Sequence, residues 1–209
     1  MNLARLSFWL SASVFLYVFT NSYLYLGLFS GNEEKFRRSN IVPNQLTYDF
    51  LAFKTLTRLK LTKVQVSPDK IGTFGMLRKT LVHFTANQCS LASVRDLLFG
   101  DTYSSDDQQP VEAKTNETGS AKQVWNALQF LDLRQNEISS IDESINACAP
   151  HLRTLLLGYN QITHLENLDR LTELCTLELT ANKMDDVTDM HTKLGQILRL
   201  DISHNRKVE

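Results

Sequence analysis

Cysteine is scarce in this chain. Only Cys89, Cys148 and Cys175 occur in 209 residues, far apart and inside apolar or repeat segments. Three such residues make neither a metal knuckle nor the cysteine-rich caps of extracellular repeat domains, and buried free thiols in a reducing compartment are expected. Charge of one sign is lacking too: the net charge is −1 and no basic stripe runs through the sequence, which argues against a nucleic-acid binder. There is no glycine-rich phosphate loop, no G-x-S-x-G elbow, no H-E-x-x-H helix and no C-x-x-C pair. The five histidines, His83, His151, His164, His191 and His204, are scattered, and Asp185, Asp186 and Asp189 read as a solvated turn. No nucleophile, base and stabiliser can be named together, so no enzyme, cofactor or metal site is expected. A hydrophobic content of 43% nevertheless marks a globular protein.

What the chain has is a repeat. Leu128-x-x-Leu131-x-Leu133-x-x-Asn136-x-Ile138 returns as Leu152-x-x-Leu155-x-Leu157-x-x-Asn160-x-Ile162 and as Leu174-x-x-Leu177-x-Leu179-x-x-Asn182-x-Met184. It begins again as Ile197-x-x-Leu200-x-Ile202-x-x-Asn205, with the asparagines 24, 22 and 23 residues apart. The spacing matches a leucine-rich repeat at four successive positions. The leucines predict a short strand with one face turned inward, because alternate strand residues point to opposite sides. Ile141, Leu165, Leu168, Leu171, Val187 and Met190 are expected to fill the same core from the convex side. No coil then has a core of its own, so each must stack on a neighbour. The asparagines Asn136, Asn160, Asn182 and Asn205 can both donate and accept, and they are expected to form a structural ladder between coils. The fold class predicted is α/β: a leucine-rich repeat solenoid with short parallel strands on the concave face, a helical or irregular convex side, and an N-terminal hydrophobic helix.

Four segments follow. Residues 1–38 include Leu6 to Phe29, 24 residues without a charge, flanked by Arg5 and by Lys35, Arg37 and Arg38. As a helix this run could cross about 30 Å of hydrocarbon, and the heavier basic flank would leave the repeats in the cytosol. A signal peptide ending near Thr20-Asn21-Ser22, or a start with no native role, are the alternatives. Residues 39–99 read as degenerate coils: Leu56-x-x-Leu59-x-Leu61 meets Val64 where asparagine is expected, and a second coil runs through Leu81, Val82 and Phe84 to Asn87 and Cys89. Leu91, Val94, Leu97 and Leu98 then follow helical spacing. Residues 100–122 are a polar surface loop containing Asn116-Glu117-Thr118, a formal glycosylation acceptor that matters only in the lumen. Residues 123–209 hold the clear repeats, the fourth breaking off before its convex half, so a longer protein is expected.

Solvent-facing strand positions mark the concave face as the candidate protein-binding site. Phe130, Asp132 and Arg134 come from the first clear coil and Thr154, Leu156, Gly158 and Tyr159 from the next. Thr176, Glu178 and Thr180 follow, then Arg199, Asp201, Ser203 and His204. Phe130, Leu156 and Tyr159 beside Arg134, Arg199, Asp132, Glu178 and Asp201 have the composition of a patch with aromatic and arginine anchors in a polar rim.

Several segments resemble the leucine-rich region of the nischarin family. They are Ser39-Asn40-Ile41, Gln45-Leu46, Asp49-Phe50, Trp125 ahead of Leu128, the run Ile138 to Ile145 with its Ile-Asp-Glu-Ser-Ile, and His191-Thr192-Lys193-Leu194-Gly195. The resemblance runs from about Ser39 to the end. A related leucine-rich family that binds a serine/threonine kinase shares part of the pattern. The nischarin resemblance implies a non-enzymatic cytosolic and endosomal scaffold that binds an integrin cytoplasmic tail and restrains Rac-pathway proteins. The family's phosphoinositide-binding PX domain has no counterpart in the 38 residues before the matched region, and its integrin-contacting part lies largely beyond residue 209. A secreted or luminal recognition domain is the competing reading.

Overall fold

A leucine pattern that recurs every 22 to 24 residues gives each turn of chain one short apolar strand face, which only the next turn can cover. In the computed structural model this produces one eight-stranded sheet in sequential order. Its strands are β1 (Val14–Phe19), β2 (Tyr23–Phe29), β3 (Arg58–Thr62), β4 (His83–Asn87), β5 (Phe130–Asp132), β6 (Thr154–Leu156), β7 (Thr176–Glu178) and β8 (Arg199–Asp201). The structure describes residues 14–19, 23–29, 55–63, 66, 74–99, 124–186, 188 and 194–206. From β2 to β8 every neighbouring pair is parallel, and the leucines lie in file: Leu131 against Leu155, Leu155 against Leu177, Leu177 against Leu200. Leu131, Leu155 and Leu177 are fully buried. The expected solenoid of parallel strands is present, and β3 and β4, from the degenerate coils, belong to the same sheet.

The N-terminal hydrophobic helix is not what forms in the described part of Leu6 to Phe29. Val14–Phe19 and Tyr23–Phe29 are antiparallel strands, with Phe19 opposite Tyr23 and Val14 opposite Leu28. The first segment is rich in valine and phenylalanine and the second alternates tyrosine with leucine, and β-branched and aromatic residues suit a pleated surface. An uncharged run does not by itself separate strand from helix. Among the described residues no helix is long and apolar enough to cross a membrane. The polar insertion with Asn116, and Val187 and Met190, lie outside the described residues.

The convex side carries a 3-10 helix (Phe74–Lys79) and two short helices, α1 (Val94–Leu98) and α2 (Ser144–Cys148). Ser93 caps α1 by accepting from the Arg95 N–H at 3.1 Å, and its hydroxyl donates to Asp142 at 3.0 Å. The Ser144 hydroxyl also contacts Asp142, so one carboxylate ties α1's start to α2's. Ile141, Leu165, Leu168 and Leu171 are buried as the repeat requires. Trp125 is fully buried and packs on Phe84 with ring centroids 5.8 Å apart. Its indole N–H donates to the Leu98 carbonyl at 3.1 Å, and Arg78 donates to the same oxygen at 3.3 Å. This shared acceptor joins the last residue of α1 to the first clear coil across residues 100–123.

The asparagine ladder is built as the residue chemistry demands. The Asn160 side-chain nitrogen donates to the Leu157 carbonyl of its own coil at 2.9 Å and to the Leu133 carbonyl of the preceding coil at 3.0 Å. Its oxygen accepts the Ile138 N–H at 3.1 Å. Asn136, Asn182 and Asn205 repeat this pattern one coil apart. The residue before each rung, Gln135, Tyr159, Ala181 and His204, has φ between 53° and 59°, which turns the chain sharply enough to aim the amide inward. Gln88 shares this conformation, so Cys89 stands where β4's coil would carry asparagine. Its backbone N–H completes the ladder by donating to Asn136 at 2.8 Å.

Candidate protein-interaction face

Successive parallel strands bring residues of equal rank side by side at about 4.8 Å. The first concave row is therefore Arg58, His83, Phe130, Thr154, Thr176 and Arg199, and the second is Lys60, Thr85, Asp132, Leu156, Glu178 and Asp201. This assigns each predicted site residue a place, and two of the expectations change.

Asp132 faces the concave side but is only 4% exposed. Its carboxylate accepts from Arg134 Nε at 3.0 Å and from Arg134 Nη2 at 2.8 Å. The Asn87 amide also donates to Asp132, whichever way that amide is turned. Asp132 is thus covered by its neighbours and orients Arg134. Arg134 is the accessible member, with 38% of its side chain exposed and Glu178 lying 3.7 Å from Nη1. The Asp132 hydrogen bonds push the guanidinium's pKa further up, against the opposing effect of burial. A long cationic side chain normally loses freedom on binding; here its fork is already fixed.

Gly158 makes that arrangement fit. A Cβ there would meet a Glu178 carboxylate oxygen at 2.6 Å and the Thr180 methyl at 2.9 Å. The missing side chain leaves the notch in which Glu178 leans back from β7 toward Arg134.

The second change concerns Phe130 and Tyr159, which the sequence places on one strip. Phe130 pairs with Thr154 at the start of β6, whereas Tyr159 lies three residues past the end of β6, so the two aromatics are not side by side. Phe130 is half-buried and stacks on His83 at 5.4 Å between centroids. Tyr159 is 57% exposed at the φ +58° corner beyond β6. The structure thus groups Arg134, Leu156, Tyr159 and Glu178, while Phe130 lies at the opposite rim with His83. Leu156 is half-buried, Arg199 is exposed and Asp201 is partly buried. Asp201 accepts from Ser203 N at 3.0 Å and Oγ at 2.6 Å, which lowers its pKa.

Burial first and Arg58 second hold the pKa of His83 below the ordinary value of 6.5. The folded state therefore binds its proton less readily than the unfolded chain. Stability should be full above about pH 6.5 and fall as pH drops from there toward the lowered folded value. Chemical denaturation at a series of pH values should show a shallower loss in His83→Phe than in wild type between these limits. Equal slopes would remove His83 from the account.

Chemistry elsewhere is sparse among the described residues, where no group of three or more His, Cys, Asp or Glu is placed to hold a metal. All three cysteines are free, and burial pushes the Cys148 thiol up to about 12, which makes it a poor nucleophile. His151 and Arg153 both bind Glu173, at 2.6 and 3.2 Å, on the exposed flank of the coils. Leu194 is buried.

An internalin from Listeria monocytogenes is similar at a TM-score of 0.44 and 19% identity, over 73% of this chain and 42% of that one, too distant to carry any function across. The chain thus spans less than half the length of that neighbour. Residues 126–184 match the family model described as leucine rich repeat, and with the sequential parallel strands and the ladder they form a leucine-rich repeat solenoid, an architecture whose concave faces generally bind other proteins.

Proposed function

We propose that this chain is a non-enzymatic interaction module, a nischarin-type scaffold in the cytosol that holds a signalling protein on its concave face. The observation that carries the reading is the fixed Arg134 fork. It is braced by Asp132 and Glu178 and flanked by half-buried Leu156 and exposed Tyr159. Tyrosine and arginine beside a desolvated apolar centre are the residue types that dominate interface energetics. Free cysteines, two of them buried, support a reducing compartment. The nischarin resemblance directs the first trials to Rac-pathway proteins and an integrin cytoplasmic tail.

Leu156→Ala combined with Tyr159→Ala should weaken a partner by at least about tenfold, the loss expected for two anchors in one patch. Titration calorimetry with a purified Rac GTPase and with an integrin-tail peptide measures it, with circular dichroism to verify folding. Phe130→Ala should have a smaller effect on affinity, because Phe130 is occupied by His83 at the other rim. A folded double variant that binds both probes as wild type does would remove the concave-face reading.

A further inference from the structure

Strand β3 reads Arg58-Leu59-Lys60-Leu61-Thr62 and is followed by Lys63. Leu59 and Leu61 are buried, so strand alternation sends Arg58, Lys60 and Thr62 to the concave side. Lys63 is exposed at the φ +57° corner just past the strand. His83, Thr85 and Asn87 stand beside Arg58, Lys60 and Thr62 in register on β4. Across both strands the outward positions hold cations and neutral polar groups and no carboxylate. Asp132, one strand further on, is already bound by Arg134 and Asn87. Among the described residues no carboxylate pairs with Lys60 or Lys63. In a chain whose net charge is −1, these cations make a local positive excess on one strand. The groove at the corner is lined by Lys63, Gln88 and Gln135 and also by Glu137, which bounds the positive lane on that side.

The spacing selects the occupant. Arg58 and Lys60 are two residues apart in a strand, about 6.6 Å, which is also the repeat of alternate side chains in any extended peptide. A segment lying along β3 with an acidic residue at every second position would meet one cation after the other. Single-stranded nucleic acid fits less well, because its bases need aromatic faces to stack on, and the ring on β4's outward face, His83, already stacks on Phe130. A membrane surface also fits poorly, since a flat bilayer cannot follow the hollow side of a solenoid.

We infer that β3 and its corner form a docking lane for an extended acidic peptide segment of a partner protein, with carboxylates on alternate residues engaging Arg58 and Lys60 and a further one reaching Lys63. The inference rests on the concave face being a protein-binding surface, but on a part of it three strands from Leu156.

Fluorescence anisotropy of the full chain with a labelled peptide of alternating glutamate and serine tests this. Wild type should bind the peptide, and more weakly as salt is raised. Lys60→Glu combined with Lys63→Glu should weaken binding at least about tenfold. The same variant should bind the matching lysine and serine peptide more tightly than wild type does. Both lysines are exposed, so circular dichroism should show the variant folded. If the reversal unfolds the chain, Lys60→Gln with Lys63→Gln should give a smaller loss in the same direction. No binding by wild type, or a folded reversal that holds the acidic peptide as before, would overturn the lane, even where the Leu156 and Tyr159 patch binds its own probes. Tighter binding to oligothymidylate or to phosphatidylserine vesicles, lost in the same variant, would reassign the lysines to nucleic acid or membrane and overturn it as well.

Discussion

Asn160→Ala is expected to destabilise the solenoid by about 2 to 4 kcal/mol, out of proportion to the few atoms removed, because the side chain serves two coils at once. It accepts the Ile138 N–H and donates to carbonyls in both the preceding coil and its own. Loss of the amide leaves that buried N–H without an acceptor, a cost of about 1 to 3 kcal/mol, and opens a polar void beside it. The Leu133 and Leu157 carbonyls keep the amides of Asn136 and Asn182, so the damage is bounded. Asn205, on the last rung, makes the same set of bonds but is only partly buried, so water can replace what Asn205→Ala removes. That variant should cost about 1 kcal/mol. Urea denaturation of the two variants side by side measures the difference, and equal losses would mean that the ladder is not what holds the coils in register.

Leu155→Ala should cost about 2 to 5 kcal/mol, the range for truncating a fully buried leucine. Leu155 is completely buried on β6, with Leu131 and Leu177 directly beside it in register. Both neighbours are themselves pinned by strand pairing, so the gap cannot close by a simple inward shift. Denaturant melts should show the midpoint falling with little change in slope, and a wild-type midpoint would contradict the inward register. Because each coil borrows its core from the next, the loss should spread along the solenoid. Amide exchange is therefore expected to speed up in β5 and β7 as well as β6.

The repeat made β5 to β8 and the ladder legible before any coordinates, since leucine at two-residue spacing followed by asparagine leaves one way to bury the side chains and satisfy the turn. Cys89 was harder to place. Its coil reads Leu81-x-x-Phe84-x-Ala86-x-x-Cys89, with cysteine where the spacing calls for asparagine and Asn87 two residues earlier. Asn87 instead faces the concave side and serves Asp132. The site was legible as a list of outward positions and not as a surface. Outward direction says nothing of what a neighbour 4.8 Å away lays across the residue, which is how Asp132 came to be covered by Arg134 and Asn87. The separation of Phe130 from Tyr159 depends on cross-strand register, which the asparagine spacing implies once coils are aligned by their leucines. Leu6 to Phe29 misled for another reason: length and absence of charge satisfy a membrane helix, whereas the alternating aromatic and aliphatic residues also satisfy strands.

The face itself is the claim on which the functional reading stands, and photocrosslinking tests it most directly. A benzophenone side chain placed at Leu156, and separately at exposed Asp169 on the opposite side of the coils, would be irradiated with a Rac GTPase or the integrin-tail peptide present. Crosslinking from position 156 that unlabelled probe competes away, with none from position 169, is the predicted result. Crosslinking from 169 alone, or from both positions without competition, would contradict it.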